Sequence, residues 1–319
     1  VTVLKIEKLE ANNPNAWVKY PVLYIDFNTE NYSKSKTLEE VLDEHLSEWE
    51  EEYGVDNPKG SYGIRFRKVI KQAHKITGLR CVVLVDEYDK PLLELVDSPE
   101  LQEHAKGVLK GFFSVLKSED ANIQFVFITG VTKFSKVSIF SDLNQLEDIS
   151  FDDDYSEICG ITEKEMLKSF YPEIERMAKE RTLTIEECIR QLGKTYDGYR
   201  FSANGEGVYN PYSLLTALKK RRFGSFWFES GTPTFLVKRL KEINFDVRQF
   251  DDQSIQARES QLSDYRDDNP DPIPLLYQTG YLTLTDYDER KSAYRLGFPN
   301  EEVKYGFLES LMPEYVEGV

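Results

Sequence analysis

The chain has 319 residues, 40% of them hydrophobic and 13% aromatic, and a formal net charge of −16. This composition can fill a sizeable core and, at this length, points to two or three domains rather than a disordered chain. The acidity repels nucleic-acid phosphates over most of the surface, and no apolar run approaches the ~20 residues that cross a bilayer. Three widely spaced cysteines with no CxxC pair argue against a disulfide framework or a thiolate zinc site.

Residues Pro21 to Phe27 (PVLYIDF) predict a short buried strand that ends in the polar Asn28-Thr29-Glu30. Leu38, Val41, Leu42, Leu46 and Trp49 then recur at helical spacing, with Thr37 as the expected cap and Glu40 three residues on. A second helix is marked by Phe66, Val69, Ile70, Ala73 and Ile76, and Gly78 stands where a left-handed residue would close it. The run Cys81-Val82-Val83-Leu84-Val85 has no polar alternation, which predicts a parallel strand covered on both faces. A helix follows (Leu101, Ala105, Val108, Leu109, Phe112, Phe113, Leu116), and then a strand from Ile123 to Ile128 that ends at Thr129-Gly130. Such alternation is the signature of a right-handed βαβ sheet.

Beyond about residue 150 the periodicity is helical, interrupted by aromatic turns, and Asp251 to Asp271 reads as an exposed linker. From Pro272 the pattern is a short helix, Gly280, two strands (Tyr281–Thr285 and Ser292–Leu296) and a helix from about Asn300. Helix, hairpin, helix is the layout of a winged-helix unit. The chain begins with Val1 rather than Met, which is simplest to read as a piece of a longer reading frame.

Asp86 and Glu87 stand at the carboxyl end of the most apolar strand, in VVLVDEYDKP. Ligands of open α/β sheets bind outside these strand ends. A carboxylate there can hold Mg²⁺ against nucleotide phosphates, and a second one beside it can polarise an attacking water. Apolar residues followed by Asp-Glu thus form a Walker B pattern, while the plainer reading is a strand tip that caps the next helix. Thr129 lies at the tip of the next strand, where a polar sensor would face the γ-phosphate, with Lys133 and Ser135 just beyond.

The segments LVDEYDKP, ITGVTKFSKVSIFSDLNQLEDIS, YDGYRF, VYNPYSLL and WFESGTPTFL, in this order, closely resemble the bacterial AAA-ATPase-like family. The resemblance runs from Trp17 to LGFPNEEVKYGFLESL near the end. It implies an ATPase core of the archaeal-ATPase and STAND type, a helical lid, a winged helix and, further on, a PD-(D/E)xK nuclease-like domain. Carried over, Asp86 is the magnesium-side carboxylate, Glu87 the catalytic base and Thr129 the sensor. The departure is the phosphate loop: no GxxxxGK[ST] occurs in these residues, and Arg221-Arg222-Phe223-Gly224-Ser225 only faintly echoes the phrase around it. Backbone N–H groups and the lysine of that loop supply most of the phosphate grip. ATP and Mg²⁺ are therefore expected cofactors of the intact protein, with none bound by this stretch alone.

Other motifs have plainer readings. Asp197-Gly198 is a turn dipeptide, and Asn210-Pro211 and Thr232-Pro233 are helix starts. His45, His74 and His104 lack partners at metal spacing, and Cys81 reads as a small buried hydrophobe. Asp152-Asp153-Asp154 reads as a solvated acidic turn, and Asp89 with Lys90 as a pair near the strand tip.

The expected architecture is an α/β P-loop NTPase core that lacks its first strand and P-loop (1–151), a helical lid region (152–250), a linker (251–271) and a winged-helix-like domain (272–319). The expected function is a cytoplasmic ATPase whose hydrolysis acts as a conformational switch on a protein partner or its own C-terminal domain. Nucleic acid would enter only through a missing domain, and no membrane is involved. The alternatives are a non-catalytic interaction module and a regulator of a nuclease-like domain. In this family the phosphate-loop strand lies between the sensor strand and a last core strand, here assigned to Leu146–Phe151. The sensor strand is therefore expected to show an unpaired edge.

Overall fold

Three runs of β-branched and aromatic residues, too short for buried helices, pair as a parallel sheet. In the computed structural model the described residues are 4–34, 36–95, 97–132, 139–140, 143–230, 236–237, 240–241, 243, 245–250, 255–263 and 271–315. The strands are β1 (Val22–Asp26), β2 (Cys81–Asp86) and β3 (Ile123–Ile128), in spatial order β1-β2-β3. They belong to the first of two compact units, residues 1–131 with 136–146; the second is 132–135 with 147–319.

Helices of this unit are α1 (Lys5–Leu9), α2 (Thr37–Glu52), α3 (Tyr62–Thr77), α4 (Lys90–Glu94), α5 (Pro99–Phe113) and α6 (Val115–Ser118). Leu42 and Leu46 of α2, Phe66 and Ile70 of α3, and Leu109 and Phe112 of α5 are buried, as are Leu23, Ile25, Cys81, Val83 and Val85 of the sheet. Phe66 and Phe112 stack at 4.4 Å. Ser61 caps α3 by accepting from the Ile64 N–H, and Gly78 closes it in the left-handed region at φ 68°. Thr37 is the first helical residue rather than the cap. Lys36 precedes it at φ 77°, where no side chain receives the first free N–H groups. The buried Arg65 guanidinium forks onto Glu50 at 2.8 and 2.7 Å, joining α3 to α2.

The expectation that β2 is covered on both faces is corrected: Cys81, Val83 and Val85 are buried, while Val82, Leu84 and Asp86 are only half-buried. Topology explains this. Strands that succeed one another in one direction, joined by right-handed crossovers, place every connecting helix on the same side. The opposite face carries Val22, Tyr24, Phe125 and Phe127, exposed by 46, 47, 54 and 37%. Among the described residues no strand pairs with the outer edge of β3. Leu146–Phe151 is not the strand expected there. Its backbone turns locally, with the Ser150 N–H donating to the Asp148 carboxylate at 3.1 Å and the Asp152 N–H to the Ile149 carbonyl.

In the second unit α7 (Glu163–Arg181) and α8 (Ile185–Tyr196) both open with capping boxes, Thr162 with Glu165 and Thr184 with Glu187. The α7 helix is kinked at Phe170, just before Pro172. Asn210 caps α9 (Pro211–Lys220) by accepting from the Ser213 N–H, and α10 (Phe226–Ser230) follows. Met166, Ile174, Met177, Cys188, Leu192 and Phe226 close one core around Tyr196. The Tyr196 hydroxyl donates to the Gly224 carbonyl at 3.0 Å and accepts from the Gly224 N–H at 2.9 Å. Thr232-Pro233 lies outside the described residues.

The stretch expected as a linker is in part built into the fold. Its strand β4 (Gln256–Ala257) pairs antiparallel with β6 (Ala293–Gly297), which pairs in turn with β5 (Thr283–Asp288). Ile255 and Ala257 are buried around exposed Gln256, a period-two pattern hidden among charged neighbours. Two short helices, α11 (Glu259–Leu262) and α12 (Ile273–Gln278), and a longer one, α13 (Glu301–Tyr315), complete the region. The helical region and this C-terminal part form one compact unit, not two. Lys194 pairs with Glu301 at 2.7 Å, and at Gly198 (φ 106°) a Cβ would fall 2.2 Å from the Pro299 carbonyl oxygen.

Candidate functional site

The parallel register brings the carboxyl ends of the three strands level. Asp26 of β1 stands opposite Asp86 of β2, and β2 and β3 remain paired as far as Val85 and Ile128. One step on, the Thr129 N–H donates to the Val85 carbonyl at 2.8 Å and the Thr129 hydroxyl donates to the Asp86 carboxylate at 2.5 Å. The residues expected as cation carboxylate and sensor are thus directly bonded.

Glu87 leaves the strand in the left-handed region at φ 56°, an uncommon conformation for a residue with a Cβ. It is half-buried. Burial raises its carboxyl above the ordinary range, Asp89 and Asp86 add to the rise, and Lys90 opposes it. Asp89 is fully buried, and its carboxylate accepts from the Val131 N–H at 3.1 Å. It ties the turn after β2 to the turn after β3, and the fit is close. A Cβ added at Gly130 would meet the Asp89 carboxylate at 2.4 Å. The Lys90 ammonium reaches Asn28 at 2.5 Å and Glu94 at 3.8 Å, and Glu94 accepts from the Tyr32 N–H. The loops that follow β1, β2 and β3 are therefore linked around the strand tips.

One member of this group, Asp26, escaped the sequence reading, and another, Asp89, entered it only as an expected partner of Lys90, whose ammonium instead reaches Asn28 and Glu94. Asp26 ends its strand as Asp86 does, and the same carboxyl-end rule applied to PVLYIDF would have found it. Asp89 has no such signal, because its burial arises only when the two turns meet. Tyr24 lies beside them on the open face, its phenol pushed up by partial burial and by the Asp26 and Asp86 carboxylates. Lys133 and Ser135 lie outside the described residues.

Carboxylate and hydroxyl oxygens are hard donors that suit Mg²⁺. Among the described residues no three His, Cys, Asp or Glu side chains converge as a metal cage. Such a group fits a cation that keeps most of its waters, the usual habit of Mg²⁺ at nucleotide phosphates. The histidines are engaged elsewhere: His45 stacks on Trp49, His74 bonds Asn122 at 2.7 Å, and His104 bonds Glu39 at 2.6 Å. Burial lifts the Cys81 thiol to about 11, so it is no nucleophile near neutrality.

Residues 3–140 match the model of the AAA-ATPase-like family, described as a predicted AAA-ATPase. A protein of Azotobacter chroococcum mcd 1, known only as an uncharacterized protein in the vnfD 5' region, is 37% identical over 300 residues. The alignment covers 93% of this chain and 55% of that protein, so the chain spans about half the length of this relative. No solved structure matches.

Proposed function

We propose, from the membership of residues 3–140 in the AAA-ATPase-like family, that Asp86, Glu87 and Thr129 form the water- and cation-handling side of an ATP-hydrolysing site. The observation that carries this reading is the hydrogen bond between Thr129 and Asp86 across two adjacent strand tips, with Glu87 next in sequence. Bound with the nucleotide, Mg²⁺ would neutralise phosphate charge. Asp86 would hold the cation, with water molecules completing its shell. Glu87 accepts the proton of the attacking water, and its raised carboxyl makes it a stronger base. Thr129 orients Asp86 and, when released from it, can donate to a phosphate oxygen. Asp89 fixes the turn on which Glu87 sits. The phosphate grip is supplied from elsewhere in the intact protein, since no glycine-rich Lys-Ser/Thr loop occurs in these residues.

On this reading the helices from α7 to α10 act as the lid. The α12, β5, β6, α13 series, in the order helix, hairpin, helix, acts as the winged-helix unit that hydrolysis switches. The setting is the cytoplasm, in keeping with free cysteines and the lack, among the described residues, of a helix long and apolar enough to cross a membrane. The test is phosphate release and nucleotide binding by the full-length protein. Glu87→Gln should leave binding intact and slow release by roughly 10² or more, the scale of a lost general base. Undiminished turnover removes Glu87 from the mechanism. A wild-type protein that binds ATP without releasing phosphate would favour the non-catalytic interaction module.

A further inference from the structure

The second unit holds a cleft of about 840 Å³ that has no part in the strand-tip site. Its wall is a ladder of rings: Phe151 stacks on Tyr294 at 6.0 Å and 20°, and Tyr294 meets Tyr287 at 4.9 Å. Phe151 is held from behind by Tyr277 at 5.5 Å and 15°. Tyr287 closes the ladder, lines the cleft and is 40% exposed. Asp153, Asp154 and Glu289 line the same cleft.

The charges around the cleft do not cancel. Asp153 stays ionised, its carboxyl held below the usual range by the hydrogen bond it accepts from the Asn204 amide at 2.9 Å. Asp286 is engaged by Arg295 at 3.6 Å. Asp154 and Glu289 have no ion-pair partner among the described residues, and Arg200 is the lone cation in the lining. Carboxylates alone would be a solvated face. Three aromatic rings on one wall of a cavity this size are a different matter, because ring faces attract cations and flat groups stack on them.

Phosphates, carboxylates and nucleic acids are repelled here, and a neutral apolar ligand would strip water from unpaired carboxylates at a cost. A guanidinium fits both features. It is planar, stacks on tyrosine and takes a carboxylate through two parallel hydrogen bonds, whereas a lysine ammonium is a compact, strongly hydrated point charge. We propose that this cleft is a docking site for an arginine-bearing, positively charged peptide segment. The site lies wholly within residues 151–294 and does not depend on the ATPase reading.

The test is fluorescence anisotropy with the chain of 319 residues and a labelled Gly-Arg-Gly-Arg-Gly-Arg peptide, its lysine counterpart, and spermidine as competitor. The arginine peptide should bind, weaken as salt rises, and bind more tightly than the lysine peptide. Tyr287→Ala should weaken it by roughly two- to fivefold, the worth of an exposed cation–π contact. Glu289→Gln, which leaves the rings in place, should weaken both peptides, and spermidine should displace neither at matched ionic strength. Circular dichroism melts confirm that the variants are folded. Equal binding of both peptides, displacement by spermidine, indifference to Tyr287→Ala, or no binding at all would each overturn the proposal.

Discussion

Glu87 concentrates the local tension of the strand tip. Its left-handed backbone is less costly for glycine than for any residue with a Cβ, by about 1–2 kcal/mol. Glu87→Gly and Glu87→Ala remove the same charge, but only the glycine variant relieves the backbone. Urea melts at neutral pH should therefore find Glu87→Gly the more stable by about 1 kcal/mol. The carboxyl adds a pH dependence of fixed sign. Its folded pKa is raised by burial and by Asp89 and Asp86, so between the unfolded and folded values the native state binds more protons than the unfolded chain. Stability therefore falls as pH rises through that window, and the deficit persists at neutrality. Glu87→Gln abolishes the titration. Its stability gain over wild type should be near zero below the unfolded value of about 4.3 and should reach a plateau above the folded one. A gain that is constant with pH would mean that the carboxyl is not perturbed.

At the scale of elements, the sheet is the unfinished part of the molecule. A parallel sheet is ordinarily covered on both faces, yet here one face shows Val22, Tyr24, Phe125 and Phe127 to solvent. The two phenylalanines stack on each other at 6.2 Å, which shields little of either ring. Exchanging both for threonine places β-branched residues, which favour strands, in β3 and removes apolar surface that folding has not buried. Phe125→Thr with Phe127→Thr should shift unfolding stability by no more than about 0.5 kcal/mol each. Dye binding and self-association, measured by fluorescence and sedimentation, should fall together. A loss of several kcal/mol would show that this face is covered in solution.

For the molecule as a whole, charge sets the expected partners. A net charge of −16 opposes nucleic-acid binding, and two of the three cations of the C-terminal hairpin, Lys291 and Arg295, lie beside its own carboxylates. Lys291 bonds Gln256 at 3.2 Å and lies 3.9 Å from Asp288, and Arg295 pairs with Asp286 at 3.6 Å. The chain should show no salt-sensitive binding to duplex DNA at micromolar concentration in a mobility-shift assay. Binding that weakens steeply with salt would reverse this. Much of the architecture was legible beforehand, because strand runs, helical periodicity and Gly78 act through neighbours in sequence, although the cap expected at Thr37 is not formed and the capping boxes at Thr162 and Thr184 were not anticipated. The places of Asp86, Glu87 and Thr129 at or just beyond strand ends were legible too, since strand tips can be counted along the chain. What the sequence determined by itself was therefore local: which segments are strands or helices, and which residues stand at their carboxyl ends. The tertiary structure alone decided that Asp26 faces Asp86, that Asp89 is buried between two turns, that residues 255–257 join a sheet, and that one sheet face is open. Each of these depends on strand register or on the side to which a crossover turns, and such relations between distant segments leave no periodic trace in either segment.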